Sequence, residues 1–208
     1  MKLMRKEVAK KYSIIYADPP WNFRVWSKKG EGRSPDQHYL TQGLDYLKLM
    51  DIQSIANKDS VLLMWATFPC LAQALDLVKS WGFTYKTVAF TWIKENKNNG
   101  KLFCGMGYYT RANAEIVLLA TRGKPLKRMA KNIRQVLISK LGRHSEKPVE
   151  IRRRIVALFG QRSRIELFAR DGNSSPSAKD DGWDVFGNEV KGSIKIAMKG
   201  GVNVDQCE

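Results

Sequence analysis

The stretch YADPPWNF, residues 16–23, decides where a strand ends and what stands at its tip. The residues before it, SIIYA (13–17), are a short apolar run. Proline has no amide hydrogen and cannot continue a central strand. The strand therefore ends at Asp18, on an acid followed by two rigid residues and a large aromatic. Pro19 confines Asp18 to extended backbone and so fixes its direction. Neither proline supplies a donor, so the corner offers acceptors, the Asp18 carboxylate and the Pro19 carbonyl, with Trp21 beside them. A ligand suited to that corner is planar and carries an amino group, a description that adenine meets. Two acceptors gripping the amino hydrogens would favour a pyramidal nitrogen with its lone pair available, and the face of Trp21 is expected to stack on the ring.

Working outward, strand and helix signals alternate. VLLMWAT (61–67) reads as a strand buried on both faces. PCLAQALDLVKSWG (69–82) has Pro69 near its start, apolar residues at 71, 74, 75 and 78, and Gly82 as a cap, which predicts a helix. FTYKTVAFTWIK (83–94) and EIVLLAT (115–121) read as strands. KPVEIRRRIVALFG (147–160) runs from Pro148 to Gly160 as a capped helix, with Ile151, Ile155, Leu158 and Phe159 on one side and Arg152 to Arg154 on the other. RIELFA (164–169) is a strand leading into a loop at Arg170. This alternation predicts an α/β fold, a mostly parallel sheet with helices on both faces. Ligands of such sheets bind beyond the carboxyl ends of strands. ADPPW and FARDGN both lie at such ends, so they are expected to share one crevice. Residues 1–190 are expected to form one domain. Residues 191–208 are expected to form a tail whose alternating run, SIKIAMK, is an extra edge strand or partly disordered.

The chain has 208 residues, 43% of them apolar, enough for one domain with a real core. No run of 18 apolar residues exists, and MKLMRKEVAKKYS at the N-terminus has no apolar core of signal-peptide length, so no membrane contact and a cytoplasmic location are expected. Three scattered cysteines, Cys70, Cys104 and Cys207, and two histidines, His38 and His144, argue against a zinc site or a disulfide framework. Thirty-six Lys and Arg against twenty Asp and Glu give a net charge of +16, which points to a nucleic-acid partner. Between Arg122 and Arg154 lie twelve Lys or Arg and two acids, Glu146 and Glu150. There Lys124, Lys127, Arg128, Lys131 and Arg134 are expected to meet phosphates. The rival is a helix whose basic face meets only solvent. The polar loop NFRVWSKKGEGRSPDQ (22–37) adds Arg24, Lys28, Lys29 and Arg33, and suits closure over an extruded base. Tyr39, just after it, is a wall of the base pocket or a core tyrosine.

DPPW resembles motif IV of the amino-group nucleic acid methyltransferases. The form with tryptophan is similar to the branch that holds the catalytic subunit of the eukaryotic mRNA adenosine methyltransferase and many bacterial and phage DNA adenine methyltransferases. HYLT (38–41), RANAEIVLLATRGKP (111–125), HSEKP (144–148), IELFARDG (165–172) and GWDVFGNE (182–189) resemble further segments of that family, in its permuted order with the catalytic motif before the cofactor loop. The resemblance covers residues 13 to 190. It implies a Rossmann-like fold, S-adenosylmethionine as methyl donor, and direct in-line transfer to the exocyclic 6-amino group of adenine, with no covalent cysteine and no metal. Asp18 favours adenine, since relatives that modify glutamine usually carry Asn there and those that modify cytosine usually carry Ser.

By the same resemblance, Asp18, Pro19 and Trp21 form the catalytic corner, shaped by Pro20. Asp18, Arg170, Asn173, Asn188 and Glu189 contact the cofactor, with Glu189 on the ribose hydroxyls. His144 and Lys147 serve the cofactor site or begin the helix. Two departures stand out. FARDGN has a single glycine where the family often has FxGxG. Ala114 replaces a lysine that holds the methionine carboxylate in eukaryotic members, leaving Arg111 or Asn113 for that task. The expected activity is site-specific methylation of DNA by a monomer or homodimer. The alternatives are an RNA adenine methyltransferase and a catalytically silent nucleic-acid-binding partner subunit, which would typically lack Asp18 or Trp21.

Overall fold

In the computed structural model, residues 10–21, 43–143, 145–170, 182–192 and 194–199 are described. Their apolar runs form β1 (Tyr12–Ala17), β2 (Ala56–Ala66), β3 (Thr84–Glu95), β4 (Ala114–Arg122), β5 (Val136–Lys140), β6 (Arg164–Leu167) and β7 (Asp184–Phe186). These make one sheet in the order β5-β3-β4-β2-β1-β6-β7. β4 pairs antiparallel with β2 and β3, and the other pairings are parallel. All strands but β4 therefore end at the same edge of the sheet.

Helices cover both faces. α1 (Leu44–Leu49), α2 (Ile52–Ile55) and α3 (Leu71–Ser80) place Leu47, Ile52, Ala74 and Val78 against Ile15, Leu62 and Leu118. α4 (Val149–Phe159) places Ile151, Ile155 and Phe159 against Ile14, Leu63 and Val117 on the other face. This is the mostly parallel α/β sheet that the strand–helix alternation predicts, and it is consistent with the Rossmann-like fold that the resemblance implies. The central strands read as continuous apolar runs because both of their faces are covered.

Several local features depart from expectation. Pro69 lies in a 3-10 turn, Phe68–Cys70, and α3 begins one residue later. The short α1 and α2 carry too few turns to leave a periodic signal. The basic segment after β4 is not a helix: it crosses α4, with the Met129 amide donating to the Leu158 carbonyl (2.8 Å), and then forms β5 at the sheet edge. The SIKIAMK run alternates as expected, but it does not join the sheet. Ile196 and Met198 are buried, and the Asp51 amide donates to the Ala197 carbonyl (2.8 Å) at the junction of α1 and α2. Among the described residues, no helix is long and apolar enough to cross a membrane.

The carboxyl ends of β1, β6 and β7 abut. The Asp18 amide donates to the Leu167 carbonyl (3.3 Å), and the Ala169 amide to the Phe186 carbonyl (3.0 Å). Between them Phe168 takes φ 63°, a conformation rare for a bulky residue, and its ring stacks on Trp81 at 6.4 Å. Gly187 passes so close that a Cβ there would lie 2.1 Å from the Ala169 carbonyl oxygen. Gly187→Ala is therefore expected to destabilise the fold by about 1–3 kcal/mol, the scale of an overpacked core. Gly43→Ala, where a Cβ meets nothing within 4 Å, serves as the clash-free control, and it should lose less than Gly187→Ala because only the N-cap preference of α1 is at stake. Urea unfolding of both variants checks this.

Candidate active site

Side chains alternate along a strand, so Ile14 and Tyr16 on the α4 face of β1 lead to Asp18 on that same face. Phe90 and Trp92 of β3 lead likewise to Lys94, and Val117 of β4 leads back to Glu115. Beyond the apolar layer these polar ends meet in a row. Lys94 Nζ lies 2.5 Å from Glu115 Oε1. Lys147 Nζ lies 3.5 Å from Glu115 Oε2 and 2.9 Å from Asp18 Oδ2. It also sits 5.4 Å over the Trp65 ring. The four side chains are only 16–19% exposed. Burial alone would push the Glu115 carboxyl up, but the Lys147 and Lys94 ammonium groups outweigh it and hold the carboxyl below its ordinary range.

Lys147 stands immediately before α4, next to Pro148 at its N-cap, and its ammonium reaches Asp18. The two positions offered for it in the sequence are therefore compatible. Arg152 corrects the expected solvent face of α4. It is 5% exposed, lies 2.9 Å from Glu166 of β6, and packs 5.1 Å over the Trp183 ring. A guanidinium tolerates that site because its planar head pairs with the carboxylate and stacks on the indole. Asp18, Lys147, Arg152, Glu166, Phe168 and Arg170 line one cavity at the ends of β1 and β6.

Trp21 also differs from expectation. The residue is only 7% exposed, packs in the core on the α1–α3 side, and donates its indole N–H to the Trp65 carbonyl at 3.0 Å. It braces the corner from behind and has no broad face open to a base. The Pro19 carbonyl accepts the Trp21 amide at 2.8 Å, which leaves one of its two lone pairs for a ligand.

Asn188 and Glu189 form an exposed turn after β7, and Gly187 brings that turn against Ala169, next to Arg170. Lys124, Lys127, Arg128, Lys131 and Arg134 are exposed on the segment that crosses α4. Asn173, Tyr39, His38, His144, Arg24, Lys28, Lys29 and Arg33 lie outside the described residues. Of the residues offered for the methionine carboxylate, Arg111 is exposed, and Asn113 accepts the Lys94 amide through its carbonyl at 2.9 Å. Sequence reasoning did not single out Lys94 or Glu115. Each continues an apolar stripe by two residues, but which strands face each other cannot be read from the stripe. Among the described residues, no group of three or more His, Cys, Asp or Glu could hold a metal.

The donor set fits an α-amino-acid zwitterion. A carboxylate, Asp18, stands beside cationic Lys147 and Arg170, and Phe168 adds an apolar wall.

Comparison with known proteins gives the same direction. The family model MT-A70 matches residues 12–189. The chain is 37% identical to the "Type II methyltransferase M.MunI" of a Mycoplasma species, over 93% of this chain and 84% of that protein. It is 23% identical to a Drosophila melanogaster "N(6)-adenosine-methyltransferase MT-A70-like protein", over 92% of this chain but 29% of that one. It is 24% identical to the human "N(6)-adenosine-methyltransferase catalytic subunit METTL3", over 88% of this chain and again 29% of the relative.

Because the folded Glu115 carboxyl titrates below its unfolded value, its stabilising effect is complete above about pH 4.3 and is lost as the pH falls through the lower folded value. Glu115→Gln is expected to be less stable at pH 7 by about 1.5–3 kcal/mol, the scale of hydrogen bonds to charged groups. The gap should persist down to about pH 4.3 and then close as the pH falls through the lower folded value, where the buried carboxyl takes up its proton. Urea titrations across that range test it. A gap constant from neutral to acid pH would place the stabilisation elsewhere.

Proposed function

The chain belongs to the MT-A70 family, and from that premise we propose that it is an S-adenosylmethionine-dependent methyltransferase acting on the 6-amino group of adenine in DNA. The observation that carries the reading is the Asp18 carboxylate, fixed at the end of β1 by Lys147 inside a cavity of matching charge. The match to the type II methyltransferase extends over most of that protein, which favours DNA. The exposed basic segment and the +16 charge suit a polyanion.

S-adenosylmethionine would supply an electrophilic methyl group on a sulfonium. Lys147 and Arg170 are suited to its carboxylate, Asp18 to its ammonium, and Glu189 and Asn188 to its ribose hydroxyls. Asp18 and the Pro19 carbonyl accept the two amino hydrogens of the extruded adenine. That grip turns the nitrogen lone pair toward the carbon it attacks, so orientation supplies much of the rate. Positive charge grows on the nitrogen as the new bond forms, and the Asp18 carboxylate is already placed to stabilise it. The proton shed afterwards is hydrogen-bonded to one of these acceptors from the start. Trp21 keeps the turn rigid from the core side. The wall for the base falls to Tyr39 by sequence position.

Nucleoside mass spectrometry of DNA and RNA from expressing cells tests the reading. N6-methyladenine in DNA is expected, and modified adenosine in RNA alone would favour the RNA alternative. Asp18→Ala should lower the rate by about 10²–10³-fold, on the scale of losing a preorganised charge-stabilising group, in a protein that is less stable but still folds because Lys147 keeps Glu115 as a partner. A folded variant of near-parent activity would refute the role. Replacing Lys127, Arg128 and Lys131 by alanine should weaken duplex binding and reduce its salt slope by about 0.9 per lost phosphate contact. The methylated sequence should not change, because phosphate contacts position the protein without reading bases. A titration at several salt concentrations checks both.

A further inference from the structure

The segment KLFCGMGYYTRAN, residues 101–113, lies in the connection from β3 to β4, and its tip has no part in the chemistry above. It folds back on itself. The Phe103 amide donates to the Lys94 carbonyl (2.8 Å), the Gly105 amide to the Ala112 carbonyl (2.8 Å), and the Lys94 amide to the Asn113 carbonyl (2.9 Å). Both glycines stand where the two limbs nearly touch. A Cβ at Gly105 would lie 2.8 Å from the Ala112 carbonyl oxygen, and one at Gly107 would lie 2.0 Å from that of Thr110. Tyr108 and Tyr109 are therefore the two residues at the tip.

Small and polar residues usually occupy such a tip. Here two aromatic rings do, at 73% and 93% exposure, meeting edge to face at 4.9 Å. Met106, 55% exposed, extends the apolar surface, and the exposed cations Lys101 and Arg111 flank it. The projection also rises from the informative edge of the sheet. β3 runs parallel to β1 in sense, so the loop between β3 and β4 leaves from the end where Asp18 stands. Its root is Glu115, which Lys147 links to Asp18 through contacts of 3.5 Å and 2.9 Å.

We propose that Tyr108 and Tyr109 form a wedge that enters the base stack of duplex DNA beside the target adenine and fills the space its extrusion leaves. The inference rests on the reading of the chain as a DNA adenine methyltransferase. Taking a base out of a duplex costs stacking and pairing. Apolar side chains inserted at a base step hold an opened duplex, and aromatic rings stack on any base they meet. The flanking Lys101 and Arg111 suit the phosphates on either side of the opening.

The test uses the full chain and a duplex carrying the sequence methylated in expressing cells, in two forms. In one the target adenine is paired; in the other it faces an abasic site and is already unpaired. The double variant Tyr108→Ser, Tyr109→Ser should lose about tenfold or more in kcat/KM on the paired duplex, the scale of one lost aromatic stack. It should lose no more than about threefold on the unpaired duplex, where extrusion still unstacks the adenine but breaks no base pair and so costs less. Tyr108→Phe with Tyr109→Phe should restore the paired rate, because stacking needs the ring and not the hydroxyl. S-adenosylhomocysteine affinity should be the same in all three proteins. Equal losses on both duplexes, or no loss on either, would overturn the wedge while leaving the methyltransferase reading intact. A parent protein inactive on both duplexes would overturn the DNA reading, and the wedge with it.

Discussion

One ammonium group, that of Lys147, sits between the carboxylates of Asp18 and Glu115 and ties three parts of the chain together. The end of β1, the start of β4 and the entry to α4 meet there. Removing one partner of such a largely buried pair leaves a charge uncompensated, which costs more than the intact pair contributes. The arrangement is therefore valuable for geometry more than for net stability. It aims Asp18 along the crevice, and it holds the root of the 101–113 projection at the same rim. Lys94 completes the charge balance by neutralising the other side of Glu115.

The opposite wall of the crevice depends on close backbone approach. β6 ends at Leu167, Phe168 adopts its left-handed turn against Trp81, and Gly187 lets the β7 turn come into contact with Ala169. A strained residue persists only where the surroundings over-determine it, and such residues cluster at functional sites. The cavity between β1 and β6 thus has one wall set by charge pairing and one set by packing. The order of the motifs along the chain does not matter to this result, because β1 and β6 are neighbours in the sheet whichever comes first.

Much of this was legible in the sequence, for physical reasons that differ by element. β1, the second half of β2 (61–66) and the centre of β4 are buried on both faces and read as apolar runs, whereas the polar NKDS of residues 57–60 hid the start of β2. α4 carried both a periodic stripe and a terminal glycine with φ 79°. α1 and α2 left little trace, since six and four residues hold too few turns for a period to emerge. β5 was hidden in a basic segment because an edge strand with Val136 and Ile138 facing outward needs no apolar run. Arg152 and Trp21 were misread for one reason, namely that residue type predicts burial poorly when a specific partner exists. Glu166 and Trp183 take up the guanidinium, and the Trp65 carbonyl takes up the indole N–H. The pairing of Lys147 with residues far away in the chain follows from strand order, which local pattern does not encode.

The central claim is that the ends of β1, β6 and β7 form one binding site, with Asp18 and Lys147 at its head and Glu189 at its far side. A crystal structure of the protein with S-adenosylhomocysteine bound measures this most directly. The account predicts the amino-acid end of the ligand against Asp18 and Lys147, and its ribose hydroxyls on Glu189. A ligand seated away from the ends of β1 and β6, or one that leaves the Asp18–Lys147 pair untouched, would contradict it.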